Sequence, residues 1–271
     1  MNANLINDIR KKTVDKNPLI HCITNPISIN QCANGVLGVG ARPMMAEHPM
    51  EVGEITQTAD ALVLNIANIT DIRMQSAKIS AQTAQSNNIP FITDAVGISC
   101  SSLRRSFISD FLESFRPTAV KGNYSEIYAL YDDMYTSAGV DADENLKTEN
   151  KSRAAVKLAQ KYSTMVLASG KTDVVTDCKN VVYIHNGTPQ LAQITGTGCL
   201  LGMLCGCYLS VDRSINALVT ACAVLGISGE LSQTEKGNGT FFVNLMDNLS
   251  VLKNEQIEKL LNIEVKANEE L

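Results

Sequence analysis

Four short stretches hold the residues able to do chemistry. The first is Thr195-Gly196-Thr197-Gly198-Cys199, set directly before the apolar run CLLGMLCGCYLS. Glycine lacks a Cβ, so backbone there can pass close to a ligand. If a helix begins near Cys199, the unpaired N–H groups and the dipole at its start favour an anion. Gly196, Thr197 and Gly198 then form a phosphate cradle mounted on a core helix. The plainer alternative is a loop before a buried helix. The motif is not GxxxxGK[ST], since no lysine follows, and its spacing is not GxGxxG. Cys199 at a helix N-terminus favours the thiolate, which makes it a candidate base or nucleophile. A nucleophilic cysteine normally needs a histidine partner. His21, His48 and His185 are the three histidines, and nothing in the sequence places one there. The alternative for Cys199 is a small apolar core residue.

The other stretches are IPFITDAVG, KGNYSEI and HCITNPISINQCANG. Asp94 ends the first, where a carboxylate suits Mg²⁺ or a reacting hydroxyl; a turn or cap residue is the alternative. In the second, Asn123 or Ser125 would cap a helix, with Glu126 in its first turn. Lys121 stands at the end of an apolar strand, a cation near the cradle or a snorkelling surface lysine. In the third, Asn25, Asn30 and Asn34 hydrogen-bond a small substrate or satisfy turns. Met45 lies with Met44 between two prolines, and core packing is its default role.

The elements that must position these groups alternate. Residues 4–15 read as helix, PLIHCIT as strand, and SINQCANGVLGVG as helix ending on glycines. DALVLNI is a strand, followed by a polar helix over about 71–87. IPFITDAV, TAVKGN and STMVLASG are further strands, YSEIYALYDDM is a helix, and VVTD with VVYIHNG forms a hairpin. After Gly196 the chain reads as mostly helical to its end, broken at GNGT (237–240). This pattern predicts a three-layer α/β fold, a mostly parallel sheet flanked by helices. Ligands in such sheets bind beyond the carboxyl ends of the strands, which would gather DAVG, KGN and ASG. The polar stretch 136–150 is the expected surface loop. Residues 1–271 are read as a single domain.

Composition narrows the classes of function. Net charge is -5 and no basic block stands out, which argues against nucleic acid as a partner. Tryptophan is absent, so base-stacking platforms are not expected. None of the eight cysteines forms a CxxC pair, so a zinc site is not expected. The run behind Cys199 is too short to span a membrane and meets Asp212-Arg213. Its Gly202 and Gly206 are read as letting a core helix approach its neighbours closely. No signal segment is evident at MNANLINDIRKKTVDK, and a cytoplasmic protein with free, mostly buried thiols is expected.

Taken together, HCITN, ANG, ARPMMAEHP, KGNYSEI and ITGTGC resemble the hydroxyethylthiazole kinases of the ribokinase-like superfamily, in order over about residues 5–255. The resemblance implies phosphorylation of 4-methyl-5-(2-hydroxyethyl)thiazole by MgATP in thiamine salvage, and a homotrimer with sites at subunit interfaces. It places Met45 and Gly196 on the thiazole, Lys121 and Ser169 on ATP, Asp94 and Glu126 on magnesium, and Cys199 as the base. Asn25 joins the substrate group. Such kinases usually carry Arg where Lys121 stands, Thr-Gly where Ser169-Gly170 stands, and Asp-Pro-Val-Gly where this chain has DAVG. Lysine keeps the charge but not the bidentate fork.

Overall fold

The computed structural model describes residues 2–132, 134–135 and 148–267. The expected surface loop at 136–150 falls almost wholly outside them. The described chain runs α1 (Ala3–Lys16), β1 (Leu19–Ile23), α2 (Ile29–Gly38), β2 (Arg42–Met44), α3 (Val52–Thr58), β3 (Ala61–Asn65), α4 (Asp71–Ser86) and β4 (Phe91–Asp94). It continues through α5 (Ser102–Ser114), β5 (Ala119–Asn123), α6 (Tyr124–Tyr131), α7 (Thr148–Tyr162), β6 (Met165–Ser169), β7 (Asp173–Thr176) and β8 (Asn180–Ile184). A 3₁₀ turn (Pro189–Gln193) leads to α8 (Thr197–Leu209), α9 (Ile215–Leu231), α10 (Asn238–Val251), α11 (Asn254–Leu260) and β9 (Ile263–Ala267).

The strands form one nine-stranded sheet in the order β2-β1-β3-β4-β5-β6-β7-β8-β9. From β2 to β6 all neighbours are parallel; from β6 to β9 they are antiparallel. Side chains alternate between the two faces, as strand geometry requires. Ile20, Val63, Ile92, Ala119 and Leu167 enter one core with α1, α2, α8, α9 and α10. Leu62, Leu64, Phe91, Val120 and Val166 enter the other, with α4, α5, α6 and α7. The expected three layers are therefore present. Among the described residues no helix is long and apolar enough to cross a membrane.

The glycine pair of α8 acts as expected. A Cβ on Gly206 would lie 2.3 Å from Val63 Cγ2, and one on Gly202 would lie 3.4 Å from Asp94 Oδ2. The helix is thus pressed onto β3 and β4, with its first turn at their carboxyl ends. It starts at Thr197, two residues earlier than expected.

Two strands depart from the expectation. After Gly196 the chain is mostly helical, as expected, but it ends on a strand, β9, that was not expected. Its Glu264 and Lys266 alternate with Ile263, Val265 and Ala267 over only five residues on an edge, so the segment is short and half-charged and does not stand out after four helices. β2 was not among the expected strands, Met44 and Met45 being assigned only core packing; Pro43 is tolerated in it because the strand is an edge.

Candidate active site

The strand ends that the topology gathers are β3, β4, β5 and β6. Asn65 pairs in register with Asp94, Asp94 with Lys121, and Asn123 with Ser169. Asn65, Asp94 and Lys121 project toward the same face, beneath α8. All three are buried, at 3 %, 1 % and 3 % exposure. The Lys121 Nζ lies 3.0 Å and 3.2 Å from the two Asp94 oxygens. Asn65 Nδ2 donates to Asp94 Oδ2 at 2.9 Å. Burial alone would lower the Lys121 pKa, but Asp94 first, then Glu126 and Cys199, hold it above the ordinary lysine value. The ammonium therefore stays charged. Burial raises Asp94, and Lys121 and Asn65 offset that shift.

Glu126 belongs to a capping box. Asn123 Oδ1 accepts from the Glu126 N–H at 2.9 Å, and Glu126 Oε2 accepts from the Asn123 N–H at 2.6 Å. The second carboxylate oxygen accepts from the Gly97 N–H at 2.7 Å. Gly97 has a positive φ of 77°, so glycine suits this turn, and Glu126 pins the DAVG loop despite its missing proline. Burial pushes the Glu126 pKa up to about 7, with Lys121 and the two amides pulling the other way.

Above these groups sits the start of α8. Gly196 is its N-cap, with φ 85°. A Cβ there would meet Gln31 Nε2 at 2.1 Å and Ser28 Cβ at 2.8 Å. Gln31 Nε2 donates to the Thr195 carbonyl at 2.9 Å and fixes the turn from the α2 side. The first helical bond is from Leu200 N–H to the Gly196 carbonyl, 2.9 Å. The N–H groups of Thr197, Gly198 and Cys199 precede it and have no helical acceptor. The Thr197 hydroxyl is turned away, toward the Leu191 and Ile194 carbonyls at 2.9 and 3.1 Å. Only its N–H is left for a ligand. A Cβ on Gly198 would be 3.5 Å from Lys121 Nζ, so the ammonium lies just under the turn.

Cys199 is half-buried, and Asn25 Nδ2 donates to its sulfur at 3.3 Å. The Asn25 amide cannot flip. Its Oδ1 accepts from the N–H groups of Ile27 and Ser28 at 3.1 and 3.2 Å, and Nδ2 also donates to Ser28 Oγ at 2.9 Å. No histidine is aimed at Cys199. His21 bonds Thr56 and Ala46, His48 accepts from Met50 N–H, and His185 bonds Thr172. Ser169 lies at the β6 end, its hydroxyl 3.4 Å from the Gly122 carbonyl. Met45 follows β2 at the same end of the sheet and packs on the core. Asn65 and Gln31 are the residues the sequence reading missed. Asn65 had a signal, since it ends an apolar strand as Asp94 does; Gln31 had none.

The profile of the Hydroxyethylthiazole kinase family matches residues 10–255. The chain belongs to the hydroxyethylthiazole kinase family. It is 41 % identical over 266 residues to hydroxyethylthiazole kinase 2 of Clostridium botulinum, covering 94 % of this chain and 98 % of that one. Its fold superposes on a hydroxyethylthiazole kinase from Pyrococcus horikoshii with a TM-score of 0.90 at 28 % identity, covering 97 % and 99 % of the two chains. A ribokinase-like superfamily protein from Enterococcus faecalis shares the fold, with a TM-score of 0.68 at 12 % identity over 95 % and 96 %. The family assignment agrees with an open helix start, a buried cation and two carboxylates at the carboxyl ends of the parallel strands.

Proposed function

We propose that this protein transfers the γ-phosphoryl group of ATP to the hydroxyl of 4-methyl-5-(2-hydroxyethyl)thiazole, in thiamine salvage. The observation that carries the reading is Lys121. A buried ammonium beneath three open N–H groups is a place for a phosphoryl group to lodge. Phosphoryl transfer is mostly positioning and charge neutralisation. The N–H groups of Thr197, Gly198 and Cys199 would receive the transferring oxygens, with Gly196 giving the clearance for close approach. Lys121 neutralises charge from below, and Ser169 takes the nucleotide side. Met45 packs against the thiazole ring.

Cys199 takes the hydroxyl proton. Its sulfur already accepts from Asn25, which holds it in place at the start of α8. Both Asn25 hydrogens are engaged, so Asn25 serves the alcohol through Cys199 rather than by its own amide. A nucleophilic role for the thiol lacks the histidine it would need.

Asp94 and Glu126 fit magnesium as oxygen donors. A carboxylate offers about four lone-pair sites. Asp94 uses three of them here and Glu126 two, so each keeps acceptor capacity. Among the described residues no cluster of three His, Cys, Asp or Glu stands ready for a metal. The ion would therefore be held by these two residues through water, together with the phosphates. When bound with ATP it would supply charge neutralisation across the phosphates.

The reading treats residues 1–271 as one kinase domain, in a cytosolic protein whose eight cysteines are free. A homotrimer suits the exposed Ile27, Ile29 and Met44, which leave apolar surface beside β1 and β2.

ADP release from MgATP is the test, with hydroxyethylthiazole, hydroxymethylpyrimidine and pyridoxal in parallel. Turnover on the thiazole alcohol and not on the others supports the reading. A folded protein that binds the thiazole without releasing ADP would leave a binding relative instead. Turnover on the pyrimidine alone would reassign the substrate. Light scattering on the same preparation reports the trimer.

A further inference from the structure

The far end of α8 carries a second polar opening. Tyr208 lies eleven residues beyond Thr197, about 16 Å along the helix at 1.5 Å per residue. It lines a cleft of about 350 Å³ between α1, the end of α2, α9 and the segment joining α10 to α11. That volume falls within the range of small-molecule sites. Val14, Val39, Val224 and Leu249 give it apolar walls, and Arg10 projects into it.

Two features of this cleft are unexplained by the fold. The Arg10 guanidinium donates to Asn7 Oδ1 at 2.9 Å, to Asn254 Oδ1 at 3.0 Å and to the Leu252 carbonyl. All three acceptors are neutral. Arginine has five N–H donors, so two are left over. Among the described residues Arg10 joins no ion pair, since the nearby Asp15 is bridged to Lys11 at 3.1 Å. The second feature is Tyr208, which is 1 % exposed, yet its hydroxyl makes no hydrogen bond among the described residues. The ring is buried, and the hydroxyl is left to whatever fills the cleft that Tyr208 lines. Arg10 and Tyr208 are close enough that each perturbs the ionisation of the other. A half-buried cation without a counter-charge and an unused donor beside it share one need, an acceptor carrying negative charge.

We infer that this cleft binds a small organic anion, a carboxylate or phosphate on a compact apolar body. The oxyanion sits on the Arg10 guanidinium and the Tyr208 hydroxyl, and the body lies against Val14, Val39 and Leu249. The site stands apart from the phosphate-binding turn and does not depend on which alcohol that turn serves.

Fluorine NMR tests it with 4-fluorobenzoate and 4-fluorophenyl phosphate as probes. Neutral 4-fluorobenzamide and inorganic phosphate are the controls, and the full chain is held saturated with hydroxyethylthiazole and AMP-PCP, which does not turn over. One or both organic anions should bind, and which binds tighter separates carboxylate from phosphate. The amide and inorganic phosphate should each bind at least about tenfold more weakly, the amide for want of a charge-assisted bond and the phosphate for want of an apolar body. Arg10→Gln also removes bonds tying α1 to residues 252–254, so Tyr208→Phe is the decisive variant. It deletes only a hydroxyl that bonds nothing, so it should keep the melting temperature and ADP release while weakening the probe about fivefold or more. Binding that survives Tyr208→Phe unchanged, no binding of either organic anion, inorganic phosphate binding as tightly as both, or a lowered melting temperature of Tyr208→Phe would each overturn the inference.

Discussion

The parallel and antiparallel halves of the sheet spend burial differently. In the parallel half, β3, β4 and β5 end on Asn65, Asp94 and Lys121, three polar side chains at or below 3 % exposure. In the antiparallel half, β7 and β8 bury Val174, Val175, Val181 and Val182. The valines stabilise by leaving water. The charged pair costs desolvation, repaid only by its own contacts. The antiparallel half is not free of such cost, since burial raises the Asp173 carboxyl of β7 to about 6, but among the described residues the buried ion pair belongs to the parallel strand ends.

The sharpest way to break this contrast is Lys121→Met. It leaves Asp94 as a buried, unpaired carboxylate, which costs about 3–5 kcal/mol. The urea midpoint should fall steeply and ADP release should vanish. Adding Asp94→Asn to the same chain should recover much of the stability and none of the turnover. A single variant as stable as the parent would show that the pair is not what holds these strand ends.

Next comes Cys199→Ala. Loss of a general base lowers turnover by about 10²–10⁴-fold. Stability should hardly move, and Cys199→Asp should keep activity. Near-intact turnover in the alanine variant would assign the rate to positioning alone. Gly196→Ala follows, where a Cβ would collide with Gln31 at a φ of 85°. Strain of this kind costs about 1–3 kcal/mol. The KM for both substrates should rise with it, measured against an unchanged far-ultraviolet spectrum.

A smaller effect is expected from pH. Glu126 titrates at about 7 in the folded chain, above its ordinary 4.5. The folded state therefore binds the extra proton between those values, and the benefit is lost as pH rises through 7. The melting temperature of metal-free protein should drop by about a few degrees from pH 6 to 8. The drop should shrink in Glu126→Gln, and an equal drop in that variant would place the titration elsewhere. The smallest effect belongs to the antiparallel side. Val265→Thr, on the half-exposed β9, should shift stability by less than about 0.5 kcal/mol and leave kcat/KM untouched.

Much of the parallel half was legible in the sequence. DALVLNI, IPFITDAV and TAVKGN are short apolar runs closed by polar or glycine residues, and each became a strand whose end faces the cradle. The glycines of ITGTGC announced a tight turn at a helix start, and Gly196 makes it. What could not be read was partnership. That Lys121 spends itself on Asp94, and that Asn25 reaches Cys199 at the start of α8, depends on segments far apart in the chain. Glu126 was read correctly as a first-turn residue, but its bond to Gly97 joins two loops that only the sheet brings together. The edges were the least legible. β2 contains a proline and β9 alternates with charges, so neither shows the apolar signal that betrays an interior strand.

Those same two edges decide how copies of this chain can meet. At one margin the sheet stops after three residues with Pro43 among them. At the other it stops on a strand whose Glu264 and Lys266 side chains bridge each other at 3.2 Å. Neither margin of the described sheet offers a long, bare row of backbone groups to a newcomer. Strands of a neighbouring molecule are thus denied a template, and crowded or half-folded chains are steered away from fibre growth. Assembly in solution is left to side chains, on helices, loops and the face of β2, rather than to strand pairing.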